Sequence, residues 1–145
     1  MTQDQADQIL QRLNATNADT LMSHLGIEYT SVGEGYLEAS MRVTGRHHQP
    51  MGILHGGASA ALAESVGSAA SALQLDLKRQ FAVGMALDIN HLKSMTNGLV
   101  IARAESIHLG RSTHLWDIRL RDENNRTVAV SRLNMMILDR DDRPH

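Results

Sequence analysis

The stretch Met51-Gly-Ile-Leu-His55-Gly-Gly-Ala-Ser-Ala-Ala-Leu-Ala-Glu64-Ser-Val-Gly-Ser-Ala-Ala-Ser-Ala-Leu-Gln-Leu75 decides how this chain folds. Gly, Ala, Ser and aliphatic residues fill almost all of it, and only His55 and Glu64 carry side chains that ionise near neutral pH. Its alanine content favours helix once Gly56 and Gly57 are passed. Leu62, Val66, Ala69 or Ala70, and Leu73 then fall on one stripe, as a helix packed against a core requires. At ~100° per residue Glu64 points nearly opposite that stripe and shares its face with Gly57, Ala60, Ala61, Ser68 and Ser71, all of them small. With no Lys, Arg or second acid on the outer face, the helix is expected to be buried on every side, and Glu64 to be covered.

An average helical glutamate is simply solvated, because Glu is seldom buried unless paired. Here positions i±3 and i±4 of Glu64 hold Ala60, Ala61, Gly67 and Ser68, so no local ion pair accounts for it. A lone carboxylate among small residues is expected to feel desolvation, a mark of general bases and nucleophiles. His55 stands directly before Gly56 and Gly57, where first-turn amides lack helical partners and the dipole is positive. It can merely end a loop. Yet glycine there lets a carbonyl oxygen approach free N–H groups, the geometry of an oxyanion hole. His55 and Glu64 are ~13 Å apart along the axis, too far to act on one atom within one helix. If both serve one site, the same helix of a second subunit, running antiparallel, supplies the missing half, which implies an isologous dimer.

The 145 residues suffice for one domain with a real core, and a net charge of −2 gives no reason to expect nucleic acid or an anionic membrane as partner. The chain contains no Cys, which excludes disulfides and a thiol nucleophile and suits a cytoplasmic location. The polar, acidic start Met1-Thr-Gln-Asp-Gln-Ala-Asp does not read as a secretory signal, and the alanine-rich helix holds too many Gly, Ser and ionisable residues to span a bilayer. Asp4 to Leu13 and Asp19 to Leu25 read as short helices. Tyr36 to Val43 alternates as a half-buried strand and is expected to pair with Ile27 to Val32 through the Gly33-Glu34-Gly35 turn. Phe81 to Leu92, Leu99 to Ile107, Thr113 to Arg121 and Thr127 to Leu138 read as four more strands, expected to run as three meander hairpins. His114, Trp116, Ile118 and Leu120 alternate against the more polar Leu115, Asp117, Arg119 and Arg121. The fold class is α+β: a long central helix wrapped by a curved antiparallel sheet.

Gln49-Pro-Met-Gly-Ile-Leu-His55-Gly-Gly-Ala-Ser59, continuing through Leu62-Ala-Glu64-Ser-Val-Gly-Ser68, resembles the hotdog-fold acyl-CoA thioesterases. The resemblance is to the glutamate-using branch of 4-hydroxybenzoyl-CoA and 1,4-dihydroxy-2-naphthoyl-CoA hydrolases, and to hydrolases of aryl-carrier-protein thioesters. It extends into Asn90-His91-Leu-Lys93-Ser94 and His108-Leu-Gly110-Arg111-Ser112, and so implies a single hotdog domain over residues 1–145 with an N-terminal helical segment over 1–25. Phenylacetate-pathway relatives carry Asp nine residues after the His; this chain has Glu64. The resemblance implies that Glu64 is the nucleophile or general base, that the Gly56 amide binds the thioester oxygen, and that His55 and Gln49 place the acyl group and the leaving thiolate. It further implies that Ser68 orients the attacking water, and that His91, Lys93, Ser94, His108, Gly110, Arg111 and Ser112 line the CoA nucleotide site. The glutamate and the His-Gly pair of one site would come from different subunits, in a dimer that assembles further as a dimer of dimers, a homotetramer. Met51, Leu54, Val66 and Met85 would line an acyl pocket at a subunit interface.

Other classes fit less well. Adjacent His47 and His48 cannot both face one site on a strand and no His-Glu-x-x-His spacing occurs, so neither a metal nor another cofactor is expected. A non-catalytic acyl-CoA sensor on the same scaffold would be expected to lack the acid or to carry an attached DNA-binding segment. A hydratase would want a His paired with an acid across the site. The expected activity is hydrolysis of an aromatic or medium-chain acyl-CoA thioester, or of an acyl or aryl carrier-protein thioester, to free acid and thiol.

Overall fold

The structure is a computed structural model in which residues 1–142 are described. The chain runs α1 (Gln3–Ala15), α2 (Leu21–Leu25), β1 (Ile27–Gly33), β2 (Tyr36–Val43), α3 (Gly56–Ala72), β3 (Gln80–His91), β4 (Gly98–Leu109), β5 (Thr113–Arg121) and β6 (Thr127–Asp139), with short 3-10 turns at Gly45–His47 and Arg140–Asp142. The strands make one antiparallel six-stranded sheet in the order β1-β2-β4-β5-β6-β3. Irregularities at Tyr29/Ser31, Gly84/Ala86, Ser106/His108 and Leu120/Arg121 interrupt the ladders, and bulges of this kind bend strands. The curved sheet holds α3 against its inner face, which is the α+β arrangement expected from the sequence.

Alternation along the strands builds the seat for the helix. Leu37, Ala39 and Met41 of β2, Val100, Ala102 and Ala104 of β4, Ile118 and Leu120 of β5 and Leu133 of β6 are all fully buried, with Leu62, Ala63 and Val66 of α3 against them. Small residues set the approach: a methyl group on Gly67 would stand 2.5 Å from Leu133 Cδ2 and 2.9 Å from Ile118 Cδ1. Ala70 rather than Ala69 completes the buried stripe at 2 % exposure, and Leu73, expected on it, is 37 % exposed where the helix ends.

Three expectations are corrected here. Phe81 to Leu92 and Leu99 to Ile107 do not form a hairpin: β4 pairs with β2, and β3 crosses to the far edge beside β6. The burial patterns explain it, because β2 and β4 both carry fully buried apolar rows that must lie side by side over the helix, whereas β3 is exposed along most of its length and suits an edge. Secondly, α3 is not covered on every side; the sheet seals one side, and Glu64, Gly57 and His55 are exposed in the chain. Thirdly, the second helix does not begin at Asp19, whose φ of 59° is left-handed, but at Leu21, after Thr20 accepts the Met22 N–H as N-cap.

Ser71, expected on the Glu64 face, is instead fully buried in the core. Its Oγ accepts the Trp116 indole N–H at 2.7 Å and lies 3.0 Å from His114 Nδ1. Burial, and then the charge of His108, lower the pKa of His114. A folded-state pKa below the unfolded value means that the unfolded chain binds the extra proton, so this contribution is full above the ordinary histidine range and falls as pH drops through it. Ser71→Ala strands the indole N–H and should destabilise the protein by about 1–3 kcal/mol in urea unfolding. A loss under about 0.5 kcal/mol would show that the bond contributes nothing net.

Candidate active site

His55 is the N-cap of α3: its Nδ1 accepts the Gly57 N–H at 2.7 Å, and its carbonyl accepts the N–H groups of Ala58 and Ser59. A ring nitrogen that accepts carries no proton, so in the neutral imidazole the proton sits on Nε2. This bond uses one of the first-turn donors expected to be free. The Gly56 N–H is left without an acceptor among the described residues, at the positive end of a helix of 17 residues. A methyl group on Gly56 would stand 2.8 Å from His91 Nε2, so a side chain there requires the imidazole to shift.

His91 is the last residue of β3, and with Gln49, Gly56, Lys93 and Ser94 it lines a cleft floored by Leu54. Five residues singled out from the sequence thus meet in one place. Gln49 Oε1 accepts the Met51 N–H, and further backbone bonds from Gln49 N–H to Ile53 O and from Gly52 N–H to Gln49 O close the turn that carries it. Lys93 Nζ donates to Asp122 Oδ2 at 2.7 Å. The Lys93 ammonium, with the amides of Arg126 and Asn124, holds the Asp122 carboxyl down to about 2. Asp122 escaped attention in the sequence because it lies 29 positions from its partner, in a polar turn that looks merely solvated.

Glu64 lies on the other half of the helix. Its carboxylate rests against Gly84 of β3, where a methyl group would collide with Oε1 and stand 3.4 Å from Cδ. Ser68, one turn on, donates through Oγ to Met135 Sδ at 3.7 Å, and Ser71 meets His114. Gly84, Met135 and His114 are aligned across β3, β6 and β5, so one helical stripe rests along one row of the sheet. Gly84 drew no attention in the sequence, although an isolated Gly inside a strand pattern signals a bulge or a close approach.

Two groupings expected from the sequence are not assembled within this single chain. His108, Gly110, Arg111 and Ser112 surround the β4–β5 turn, at the end where Thr113 pairs with Met136 and Met136 with Val83; His91, Lys93 and Ser94 lie at the opposite end, where Arg121 pairs with Thr127 and Ala129 with His91. At ~3.3 Å per residue these ends are roughly 25 Å apart, so one chain cannot join both sets in one nucleotide site. Val66 does not line an acyl pocket, being wholly buried in the core, and of its expected companions Leu54 is nearly buried while Met51 and Met85 are 82 % and 47 % exposed. The candidate residues of this chain therefore fall into two groups: the Gly56 amide with Gln49, His91, Lys93 and Ser94, and the Glu64 carboxylate with Ser68 toward the β4–β5 turn.

Residues 51–129 match the Thioesterase superfamily. A proofreading thioesterase of Cronobacter turicensis is 45% identical over 129 residues, spanning 89% of this chain and 93% of its own length. The crystal structure of a mutant thioesterase of Pseudomonas aeruginosa superposes with a TM-score of 0.88 at 43% identity, over 90% of this chain and 94% of that one. A thioesterase of Haemophilus influenzae gives a TM-score of 0.89 at 42% identity, over 94% of both chains.

Lys93→Ala should raise the Asp122 carboxyl from about 2 toward the ordinary range near 3.8, as read by NMR titration. A depressed carboxylate adds stability that is full above the unfolded value and is lost as pH falls through the folded one, so the variant should also unfold at higher pH on acidification. An unmoved carboxyl would mean that the amides alone hold it.

Proposed function

Because the chain belongs to the Thioesterase superfamily, we propose that it hydrolyses acyl-CoA thioesters with aromatic or medium-chain acyl groups, or the corresponding carrier-protein thioesters, using Glu64 of one subunit and Gly56 of another. The observation that carries this reading is the division of the site: an unpartnered amide donor at one end of α3 and an exposed carboxylate on the other half, with a bare edge strand alongside. Val83 and Met85 of β3 are 40% and 47% exposed. An exposed apolar edge is a template for another strand, and a second copy running antiparallel across it is the partner of this reading. That isologous dimer would bring the Glu64 half of each protomer toward the Gly56 half of the other, forming two equivalent sites. A dimer of dimers would supply the β4–β5 turn, with His108, Gly110, Arg111 and Ser112, to a nucleotide held also by His91, Lys93 and Ser94.

The chemistry follows from those two groups. The thioester carbonyl oxygen accepts the Gly56 N–H, whose fixed dipole stabilises the charge that builds on oxygen as the carbonyl carbon is attacked. In one course Glu64 takes a proton from water while the water oxygen attacks that carbon; the C–S bond then breaks, and the thiolate leaves and is protonated. In the other the carboxylate attacks directly, expels the thiolate and forms a mixed anhydride, which water splits to free acid and regenerated Glu64. The His55 Nε2–H and Gln49 amide lie on the donor side, where they can position the acyl group and the departing sulfur. The name of the Cronobacter relative, proofreading thioesterase, supports a role in clearing unwanted thioesters. No helix among the described residues is long and apolar enough to cross a membrane, and the cysteine-free composition favours a cytoplasmic enzyme.

Thiol release from a panel of aroyl-CoA, fatty acyl-CoA and aryl-carrier-protein substrates tests the reading. Glu64→Ala should lose at least about 10²–10⁴-fold in turnover, the usual contribution of a positioned acid or base, with fold and oligomer unchanged. Near wild-type turnover in that variant would rule the mechanism out, and CoA esters that bind without any thiol release from the wild type would favour the non-catalytic sensor. Gly56→Val should lose about 10²–10³-fold in turnover by moving His91 and filling the carbonyl's approach; unchanged turnover would count against the amide as oxyanion donor.

A further inference from the structure

We propose that Gly84 is a positioning residue whose lack of a side chain seats the Glu64 carboxylate on the backbone of the edge strand, an inference that rests on Glu64 being the catalytic group. The helix alone does not fix a glutamate carboxylate, because rotations about its side-chain bonds can swing the end group through several ångströms. Something beyond α3 must choose the rotamer that aims it. No cation is available: no ion pair joins Glu64 to any of the described residues. What the carboxylate meets is Gly84. A methyl group there would collide with Oε1 and stand 3.4 Å from Cδ and 3.9 Å from Cγ, so its three nearest neighbours all belong to Glu64.

The strand is shaped at this point. The β3–β6 register slips between Gly84 and Ala86, leaving Met85 as the extra residue of a bulge. Bulges beside active sites re-aim side chains and bring backbone where a regular ladder would not. Gly84 is not among the glycines with positive φ, so its backbone would accept alanine without strain. The glycine is therefore explained by the space that Glu64 occupies and not by the turn of the chain. A Cβ at this position would force the carboxylate off its seat.

Glu64→Asp shortens the reach by one methylene and removes the overlap, which makes the pair separable. In Gly84→Ala, kcat should fall roughly 10²-fold, the scale of a 1 Å misplacement, with KM nearly unchanged and with wild-type circular dichroism and sedimentation. Glu64→Asp should be impaired in the wild-type background but should lose little or nothing more when Gly84→Ala is already present, so that the two losses are strongly less than multiplicative. Wild-type kcat in Gly84→Ala, or independent losses that multiply, overturns the proposal. So does a Gly84→Ala protein that fails to fold or dissociates while Gly84→Ala/Glu64→Ala does the same, since the glycine would then serve the strand or the subunit contact. The parent reading fails separately, through an active Glu64→Ala; an inactive Glu64→Ala beside a fully active Gly84→Ala refutes the seat alone.

Discussion

One curved sheet can seal a helix on one side only, and the layout of this molecule follows from that constraint. Burying Leu62, Ala63, Val66, Gly67 and Ala70 against the sheet requires the most apolar strand rows to lie under the helix. Those rows belong to β2, β4, β5 and β6, so β4 must leave its sequence neighbour and join β2. β3 is then left on the outside. An open helix face and an open strand edge are consequences of one packing solution, and they lie next to each other because β3 runs alongside α3.

Function uses what that solution leaves over. Within α3 the amide donor and the carboxylate are separated by about 12 Å of helix, eight residues at ~1.5 Å each. No rotamer of Glu64 closes that distance, so the two groups do not meet within a single protomer. The small residues that share the Glu64 face, Gly57, Ala60, Ala61 and Ser68, leave room for a second backbone or a substrate to approach. In the proposed reading two subunits share the hydrolysis: the helix that organises the core would also space Gly56 and Glu64, and the open edge beside it is where the complement would bind.

Much of this was legible in the residues because local periodicity carries it. The glycine pair before an alanine-rich run marks the start of α3, and alternation in Tyr36 to Val43 and His114 to Leu120 separates core from solvent. What was not legible depends on long-range choices. Period-two alternation says which side chains go inward but not which strand lies alongside, and so Phe81 to Leu92 was expected beside the wrong neighbour. Nor does alternation show where the polar residues around His91 and around His108 lie, which the sheet of one chain holds at opposite ends. Burial was misjudged for the opposite reason. Ser71 was placed on the face of Glu64 because the partners that hold it in the core, His114 and Trp116, are 43 and 45 positions away.

Glu64 shows how the two levels fit together. Its small-residue face singled it out, yet the inferred cover is absent from the single chain, where the carboxylate is exposed. Both observations hold if the cover is intermolecular. A face kept free of charge over several turns without being buried in its own protomer is not maintained by the folding of that protomer, since a solvated helix face tolerates Lys, Glu or Arg at no cost in packing. The lone charge in the middle of that face is then the group for which the surface was kept clear.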